Sequence, residues 1–439
     1  MARTKFVGFF LALILVFGLM LGTNAPRSYA KDTPAYVEGE LLIQFRDNTS
    51  EADKEKVRGK ANGVKIEKIK EKANGKGDLE LTAVKGDVLA LASELSKDAA
   101  VEFAEPNWIY TTGAVATDPY FTNGSLWGMS GGFGSNAAAA WAAGKTGSAS
   151  VYVGIIDEGI QFDHPDLSGQ VWTNPFDPAD GVDNDGNGYV DDIRGWDFDG
   201  NNNTIYDGGT RGSQDDHGTH VSGTIAGKAN NGIGVVGINW NVTLISGKFL
   251  GRRGGTTANS VKAVDYFTDL KTRHGLNIVA TNNSWGGGGY SQALFDAISR
   301  ANIANILFVA AAGNSGTNND VTASYPSNYN LPNVIAVAAI DKNGALASFS
   351  QYGATTVDIG APGVGIFSTT AYNLYESYNG TSMATPHVTG AVALYASVNT
   401  GRTAAQIKNA ILTSAVPTAS LAGKTVTGGR LDANGALSK

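Results

Sequence analysis

Short runs of valine and isoleucine alternate with longer amphipathic stretches from Asp118 onward, and this alternation limits the chain to few folds. Apolar strands separated by helices are typical of a parallel sheet covered on both faces. The predicted strands are Val151–Asp157, Val242–Leu250, Ile278–Ser284, Ile306–Ala311 and Val334–Ala339, and the predicted helices are His217–Gly227, Ala258–His274, Ser291–Ile303, Ser382–Val398 and Ala404–Ser414. Because such sheets bind ligands at the carboxyl ends of their strands, we expect an α/β domain with its functional residues at that edge.

The first 30 residues predict a secretory signal peptide. Arg3 and Lys5 precede an apolar run over residues 6–22, and Ser28-Tyr29-Ala30 offers a small-x-small cleavage site. An uncleaved membrane anchor is the alternative, but Pro26 and the small residues favour cleavage. We therefore expect a secreted mature protein that is not membrane-bound. The chain has no cysteine, so its stability outside the cell does not rest on disulfides.

Residues 31–112 form a second block, rich in lysine and glutamate. An alternating apolar run at 40–45 and amphipathic stretches at 51–60 and 88–96 predict two helices on a small sheet. The small residues from Thr111 to Thr117 then predict an exposed connection suited to cleavage. The expected organisation is a signal peptide over 1–30, a small α+β domain over 31–112 and a large α/β domain over 113–439.

Three segments of the large domain place reactive side chains where strands end or helices begin. The strand Val151–Asp157 ends in a carboxylate, His217 lies in a helix start, and Ser382 opens another helix. A serine hydroxyl is a weak nucleophile until a base accepts its proton, and histidine, with an unperturbed pKa of about 6.5, suits that role. A buried carboxylate fixes the histidine tautomer. A fourth segment, Phe308–Asn314, brings an amide that suits a developing oxyanion, together with the N–H of Ser382.

These segments resemble the signatures of subtilisin-like serine peptidases (the subtilase family), and they stand in that family's order. The matching runs are Ile155–Ile160, His217–Thr224, Ala311–Asn314 and Gly380–His387. The resemblance spans about Asp118 to the carboxyl terminus, and residues 31–112 look like the family's propeptide. It implies a three-layer α/β subtilisin-like fold with a mainly parallel central sheet, preceded by a ferredoxin-like α+β propeptide domain. It also implies that Ser382 is the nucleophile, His217 the general base, Asp157 the orienting acid and Asn314 the oxyanion donor.

The family binds protein and peptide substrates as an extended strand between two edge segments. The matching residues are Ser284, Trp285 and Gly286 on one side and, less securely, Gly254 and Gly255 on the other. The side-chain pocket would be lined also by Ala311, Ala312, Gly313 and Ser324. A merely flexible loop over 286–289 is the alternative. Trp285 stands where the family often has a smaller aliphatic residue. Because no acidic residue falls among these positions, we expect cleavage after apolar or aromatic residues rather than strictly after Lys or Arg.

The segment 177–216 holds 11 aspartates and only two basic residues, which favours cation binding. Oxygen-bearing residues at alternate positions and Gly186 at the sixth resemble a calcium loop, although Arg194 replaces the closing Glu of an EF-hand. The candidate ligands are Asp183, Asp185, Asn187 and Tyr189, with Asp191 or Asp192 closing the site. A disordered acidic insertion is the alternative.

A second calcium site follows from resemblance alone, since thermitase-like members bind the ion with an early Asp, a His-Pro-Asp-Leu segment and a loop after the histidine helix. The matching residues are Asp118, Asp166, Asn231, Ile233 and Val235. Two or more Ca²⁺ sites and no organic cofactor are therefore expected.

Parallel sheets assembled from distant segments fold slowly, and the family uses its propeptide as a folding template and inhibitor. We expect residues 104–110 to lie near the catalytic cleft and self-cleavage to fall between Tyr110 and Thr117. The absence of a basic stripe with interleaved aromatics argues against nucleic acid as a partner, and a monomer is expected. Two other functions remain open: a secreted calcium-binding or adhesive protein without turnover, and a sequence-specific convertase with carboxylates in its cleft.

Overall fold

The chain divides into two compact units, residues 1–111 and 112–439. The computed structural model describes residues 36–71, 76–108, 115–208 and 215–439. The predicted signal peptide and most of the predicted cleavage segment lie outside these ranges. In the part of the chain that the structure describes, no helix has both the length and the apolar character needed to cross a membrane.

The amino-terminal unit is a four-stranded antiparallel sheet with two helices. Its elements are β1 (Tyr36–Arg46), α1 (Glu51–Lys60), β2 (Val64–Lys70), β3 (Lys76–Ala83), α2 (Val88–Leu95) and β4 (Val101–Trp108). The sheet order β2-β3-β1-β4 with this chain order is the ferredoxin-like arrangement. Alternate residues of β1, Leu41, Ile43 and Phe45, are fully buried in one core with both helices, as the period-two pattern predicts.

The second unit is built on a nine-stranded sheet. Its strands are β5 (Gly147–Asp157), β6 (Gly195–Asp197), β7 (Asn241–Lys248), β8 (Ile278–Asn283), β9 (Leu307–Ala311), β10 (Val334–Ile340), β11 (Ile359–Pro362), β14 (Val416–Pro417) and β15 (Gly429–Arg430), with a separate hairpin of β12 (Ile366–Thr370) and β13 (Leu374–Tyr378). The order is β14-β15-β11-β10-β9-β8-β5-β7-β6. All pairings are parallel except β14 with β15.

Helices cover both faces of this sheet. They are α3 (Pro119–Thr122), α4 (Ala137–Ala142), α5 (Asp216–Ala226), α6 (Thr257–His274), α7 (Gln292–Ile303), α8 (Thr381–Val398), α9 (Ala404–Thr413) and α10 (Ala433–Ala436), with a 3₁₀ turn at Ala419–Leu421. Neighbouring residues of β5 point into different cores: Ile155 packs with α5 and α8, and Ile156 packs with α6 and α7. A Cβ on Gly154 would lie 2.8 Å from the Phe267 ring, so only glycine lets α6 approach this closely.

The predicted fold class is confirmed: three layers with a mainly parallel sheet follow a small α+β unit. The five predicted strands and five predicted helices are all present, and most boundaries differ by one or two residues. In the second unit, sequence reasoning did not identify β6, β11, β14, β15, the β12–β13 hairpin, α3, α4 or α10. These elements are two to six residues long, which gives too few periods for a pattern to be recognised.

Candidate active site

The predicted catalytic segments meet at the carboxyl edge of the sheet. Asp157 is the last residue of β5 and pairs with Lys248 of β7. In the neighbouring parallel strands, β8 ends just before Ser284 and β9 ends three residues before Asn314. Since these three strands are adjacent and in register, their following residues lie at one edge, as expected for ligand sites in such sheets.

Asp157 and His217 form a direct pair. His217 Nδ1 lies 2.8 Å from Asp157 Oδ1, and the same oxygen accepts the N–H of Glu158 at 2.8 Å. Asp157 is fully buried, whereas 29 % of the His217 side chain is exposed. Burial lowers the pKa of His217, but the carboxylates of Asp157 and Glu158 outweigh that effect and raise the pKa above its usual 6.5. With Nδ1–H donating to Asp157, Nε2 is the nitrogen left to act as a base.

Ser382 is the second residue of α8 and is tied to Ser284 by two hydrogen bonds. Ser382 Oγ donates to the Ser284 carbonyl at 3.0 Å, and Ser284 Oγ donates to the Ser382 carbonyl at 2.8 Å. That second acceptor is free because Pro386, one turn further along the helix, has no N–H to give it. The Ser382 hydroxyl hydrogen bonds to Ser284 in this structure rather than to His217.

Asn314 is oriented by the residue that precedes Ser382. Its Oδ1 accepts the N–H and the hydroxyl of Thr381, each at 2.9 Å. With its oxygen engaged, the side chain has its amide N–H groups left as donors. The N–H of Ser382 belongs to the first turn of α8, where N–H groups have no acceptor within the helix. Asn314 and Ser382 line the same cleft.

This cleft has a volume of about 470 Å³ and is lined mainly by small or uncharged polar residues. Of the predicted substrate-binding residues, Trp285, Gly286, Gly313 and Ser324 line it, and Ser284 lies beside it through its bonds to Ser382. Among the described residues, no charged side chain lines it; its walls are Trp285, Gly286, Gly287, Gly288, Ala311, Gly313, Asn314, Ser315, Thr317, Thr322, Ala323, Ser324, Gln351, Thr381 and Ser382.

Ala312 does not lie where the sequence reasoning placed it. It is fully buried with Ala336, Ala338 and Val357, and its N–H and C=O bond to Val337 and Asn319. Its neighbour Ala311, which was also predicted for this pocket, does line the cleft. Successive residues of an extended chain face opposite sides. An error of one residue therefore replaces a residue of the cleft wall by one of the buried core.

Gly254 and Gly255 line a second, more apolar pocket of about 310 Å³, together with Phe249, Leu294 and Tyr325. Trp285 and Gly286 line both pockets, so the indole forms part of the wall between them. Gly287 donates its N–H to Tyr325 O at 3.2 Å, which ties the glycine segment to the chain opposite.

Gln351 is a cleft residue that the sequence reasoning missed. Its side chain packs so closely on Gly313 that an added Cβ would lie 1.8 Å from Gln351 Oε1, and Gly313 has φ +114°. Gly313 therefore admits no other residue without strain. A single glutamine carries no motif, so only the fold reveals it.

A buried ion cluster lies next to the histidine helix. Lys248, only 2 % exposed, donates at 2.6 Å to both Asp215 and Asp207. Burial raises the pKa of Asp215, which precedes α5 and is itself fully buried. The cluster thus joins the end of β7, beside Asp157, to the start of the helix that carries His217.

The residues of the resemblance-based calcium site converge. Asp166 accepts the Asn231 amide at 2.6 Å and the Val235 N–H at 2.7 Å, and buried Asp118 accepts the N–H of Asn230 at 2.9 Å.

Burial raises the pKa of Asp118, and the charge of Asp166 raises it further. Asp118 Oδ1 is buried with no hydrogen-bond partner in the described part of the chain. An orphaned carboxylate oxygen beside a second carboxylate fits a cation. Ile233 is more exposed and donates its N–H to Asn231 Oδ1.

The acidic loop curls upon itself and docks on α6. Within the loop, Asp183 accepts the N–H groups of Asn187 and Gly188. Asp185 contacts His274 of α6 at 2.9 Å. The ring of Tyr189 packs against Trp196, Phe198 and Tyr266. Asp191 turns away to the N–H groups of residues 180 and 181. Asp192 points inward to Asn187, Asn174 and Tyr266, and burial raises its pKa to about 7. Asp177, which the sequence reasoning missed, is fully buried and accepts the N–H groups of Asn184 and Asp192.

Among the described residues, one group of three carboxylates offers ligand atoms within 4.8 Å of one another: Glu51, Asp78 and Glu80 of the amino-terminal unit. Lys54 and Arg58 already neutralise these carboxylates, with contacts of 2.5 and 2.6 Å to Asp78 and Glu80. This group is an ion-pair network. Any ion in the second unit would therefore also need carbonyl and amide oxygens, which Ca²⁺ accepts.

Comparison with known proteins agrees with this arrangement. Residues 148–435 match the model of the subtilase family (peptidase S8), and residues 23–107 match the fervidolysin N-terminal prodomain. The chain therefore belongs to the subtilase family, and it is a serine protease with an N-terminal prodomain.

The relatives span most of the chain. A thermophilic serine proteinase of Bacillus sp. (strain AK1) is 32 % identical, with 89 % of this chain and 86 % of that protein covered. An alkaline protease of Alkalihalobacillus alcalophilus is 33 % identical, with 91 % and 90 % covered. A solved protease structure from Pseudoalteromonas arctica PAMC 21717 superimposes with a TM-score of 0.59 at 28 % identity, covering 74 % of this chain and 99 % of that one.

Proposed function

We propose that the protein is a secreted, calcium-stabilised endopeptidase that is autoprocessed from its precursor and cleaves peptide bonds through the triad Ser382, His217 and Asp157. The single observation that carries the triad is the 2.8 Å contact between His217 Nδ1 and fully buried Asp157, at the sheet edge where Ser382 is also anchored. The contact leaves Nε2 of His217 available as the base.

In the proposed reaction, Ser382 Oγ leaves the Ser284 carbonyl, transfers its proton to His217 Nε2 and attacks the substrate carbonyl carbon. The imidazolium that forms is stabilised by Asp157 and then protonates the leaving amine, which produces an acyl-enzyme. A water molecule, deprotonated by the same histidine, then attacks the ester. The histidine gives this proton to Ser382 Oγ as the acid product leaves. The negative charge on the tetrahedral oxygen is met by the Asn314 amide and the Ser382 N–H, both fixed before substrate arrives.

We propose that the cleft below Ser382 takes the side chain before the cleaved bond and the Gly254 pocket takes one further toward the amino terminus. The described residues that line the first cleft are all uncharged, which supports broad acceptance of apolar and aromatic side chains. The second is lined by Phe249, Leu250 and Leu294, which supports an apolar occupant.

Calcium is proposed for two places. Asp118, Asp166 and Asn231 would hold one ion, and the buried pair of carboxylates with an unpartnered oxygen supports it. Asp183, Asp185, Asn187 and Asp192 would hold a second in the acidic loop, with Asp177 in place of Asp191 as the closing carboxylate. A bound ion would neutralise buried carboxylates that otherwise repel one another.

Residues 31–112 are proposed to act as the prodomain that assists folding and inhibits the enzyme, and residues 1–30 as the export signal. The match of 23–107 to a prodomain family and the separate compact unit support the first part. The bond that is cut to release the prodomain would lie between residues 110 and 117.

The test is to express the precursor as wild type, as Ser382→Ala and as the control Ser377→Ala, an exposed serine of the β12–β13 hairpin. Masses after secretion and casein digestion are then compared in calcium. We expect wild type and control to lose the prodomain and digest casein, while Ser382→Ala stays full length and inactive. If all three mature alike and none digests casein, another protease processes the chain and a non-catalytic binding role replaces the proposal.

A further inference from the structure

The residue after the catalytic aspartate makes an unusual contact with the catalytic histidine. Glu158 Oε1 accepts the main-chain N–H of His217 at 2.5 Å, while the Glu158 N–H donates to Asp157 Oδ1 at 2.8 Å. The end of β5 therefore holds His217 at two points: Asp157 binds its ring and Glu158 binds its backbone.

The start of α5 explains why this contact matters. A helix begins with N–H groups that have no acceptor within the helix, and an aspartate at the position before it normally supplies one. Asp215 occupies that position, but its carboxylate binds Lys248 at 2.6 Å and the Asp207 N–H at 2.8 Å, so it makes no cap bond. Glu158, from a different element, takes over for the N–H of His217.

The two segments are also in direct contact next to this bond. A Cβ on Gly218, the residue after His217, would lie 2.0 Å from the carbonyl oxygen of Gly159, the residue after Glu158. No water-sized space separates the strand end from the helix start at this point. A shift of the main chain at Glu158 and Gly159 is therefore transmitted to the backbone that carries the imidazole.

We propose that Glu158 is a positioning residue for the general base, which clamps the main chain of His217 to the strand that supplies Asp157 and places a second negative charge beside the imidazole. The proposal rests on the proposed function, since it takes His217 as the base.

The charge has its own consequence for pH dependence. The groups that face Glu158 are Asp157, Asp215, His217 and, across from β13, Tyr378. Burial raises the pKa of Glu158 and the charge of Asp157 raises it further, whereas the N–H and the charge of His217 lower it. When ionised, Glu158 favours the imidazolium, so it raises the pKa of His217.

Two substitutions separate the clamp from the charge. Glu158→Gln keeps an oxygen that can accept the N–H but removes the charge, so we expect near wild-type kcat at the alkaline plateau and an acid limb of kcat/KM moved to lower pH by about one unit. Glu158→Ala removes both, so we expect the same displacement of the limb together with a fall in kcat on the order of tenfold and a nearly unchanged KM.

The matched control is Asp216→Asn, which removes an equal charge one residue from His217. The Asp216 carboxylate accepts the Ala371 N–H at 3.2 Å, and the charges that raise the pKa of His217 are those of Asp157 and Glu158, so the limb of this control should stay within a few tenths of a unit of wild type. The measurements are kcat and KM on a chromogenic peptide from pH 5 to 10, using the full precursor matured in calcium, with active sites counted by a serine-directed fluorophosphonate.

An unmoved acid limb in Glu158→Gln, with wild type active and labelled, overturns the proposal and leaves the triad intact. A wild type that is neither active nor labelled instead overturns the proposed function. If Glu158→Ala does not mature, the Glu158→Gln profile alone decides.

Discussion

Lys248→Met tests whether the buried ion cluster holds the histidine helix in place. The substitution keeps a long side chain of similar volume but removes the cation between Asp207 and Asp215. Asp215 is fully buried and, among the described residues, would keep the Asp207 N–H as its one hydrogen-bond donor. Leaving one member of a buried pair uncompensated costs about 3–5 kcal/mol. At about 2–3 °C per kcal/mol for a domain of this size, the unfolding midpoint should fall by about 6–15 °C.

The assay is thermal unfolding of the full chain in the Ser382→Ala background, which avoids self-digestion. Arg300→Met is the matched control: its partner is Asp265, both side chains are more than a third exposed, and the loss should stay within about 1 kcal/mol. Adding Asp215→Asn to Lys248→Met removes the uncompensated charge and should recover much of the loss. Comparable midpoints for Lys248→Met and Arg300→Met would refute the reasoning.

The same ion cluster predicts how the stability loss of Lys248→Met changes with pH. Burial lowers the pKa of Lys248, but the two carboxylates outweigh it and raise the pKa, so the lysine contribution is complete at neutral pH and is lost only as pH rises through the raised value. Burial raises the pKa of Asp215, and without Lys248 it would rise further. The folded variant then takes up a proton more readily than the unfolded chain, so its deficit should shrink as pH falls.

Four further outcomes are expected. Because the carboxylates of Asp157 and Glu158 raise the pKa of His217, the acid limb of kcat/KM should lie above pH 6.5, and a limb below pH 6 in a peptide assay would contradict this. Excess chelator should lower the melting temperature of the wild type, and Asp118→Asn should melt lower in calcium and respond less to chelator; identical responses would argue against an ion at Asp118. Thr381→Val removes one donor from Asn314 Oδ1 and should lower kcat by roughly three- to tenfold with little change in KM. Asn314→Ala should cost more, about 10²–10³ in kcat, a magnitude taken from subtilisin rather than worked from this structure.

The fold was largely predictable because its central strands are buried on both faces. Leu307–Ala311 and Val334–Ile340 are buried throughout and entirely apolar, so a continuous apolar run locates each one. Ile278–Asn283 is also buried throughout, but only its first three residues are apolar. The β12–β13 hairpin has no such signal, because β13 is mostly half-exposed and its residues, Leu374–Tyr378, do not alternate. Its importance is visible only in the fold, where the carbonyl oxygens of Ile366 and Glu376 meet the ring of His220.

The site residues that belong to sequence motifs were predictable. Residues whose role depends on which side of the chain they face, or on a partner distant in sequence, were not. Asp157, His217, Asn314 and Ser382 are set by strand ends and helix starts, which a pattern locates within a residue or two. Whether Ala311 or Ala312 faces the cleft depends on the phase of the last strand residue, and two adjacent alanines do not reveal it. Asp191 and Asp192 pose the same problem in the acidic loop, where one turns outward to backbone N–H groups and the other inward to Tyr266.

The start of α5 shows most clearly why such details need the structure. An aspartate directly before a helix is a strong cap signal, and Asp215 has that position. Lys248 comes from β7, a strand that is distant in sequence, and donates to the carboxylate at 2.6 Å. In this ion pair both partners are charged, whereas in a cap bond only the carboxylate is. The uncapped N–H of His217 is then met by Glu158, which lies beside it only because Asp157 must reach the same residue's ring. The buried Lys248 thus prevents Asp215 from capping α5, and Glu158 accepts the N–H of His217 in its place. Because Glu158 carries a full charge next to the imidazole, we expect this cap to influence catalysis as well as stability.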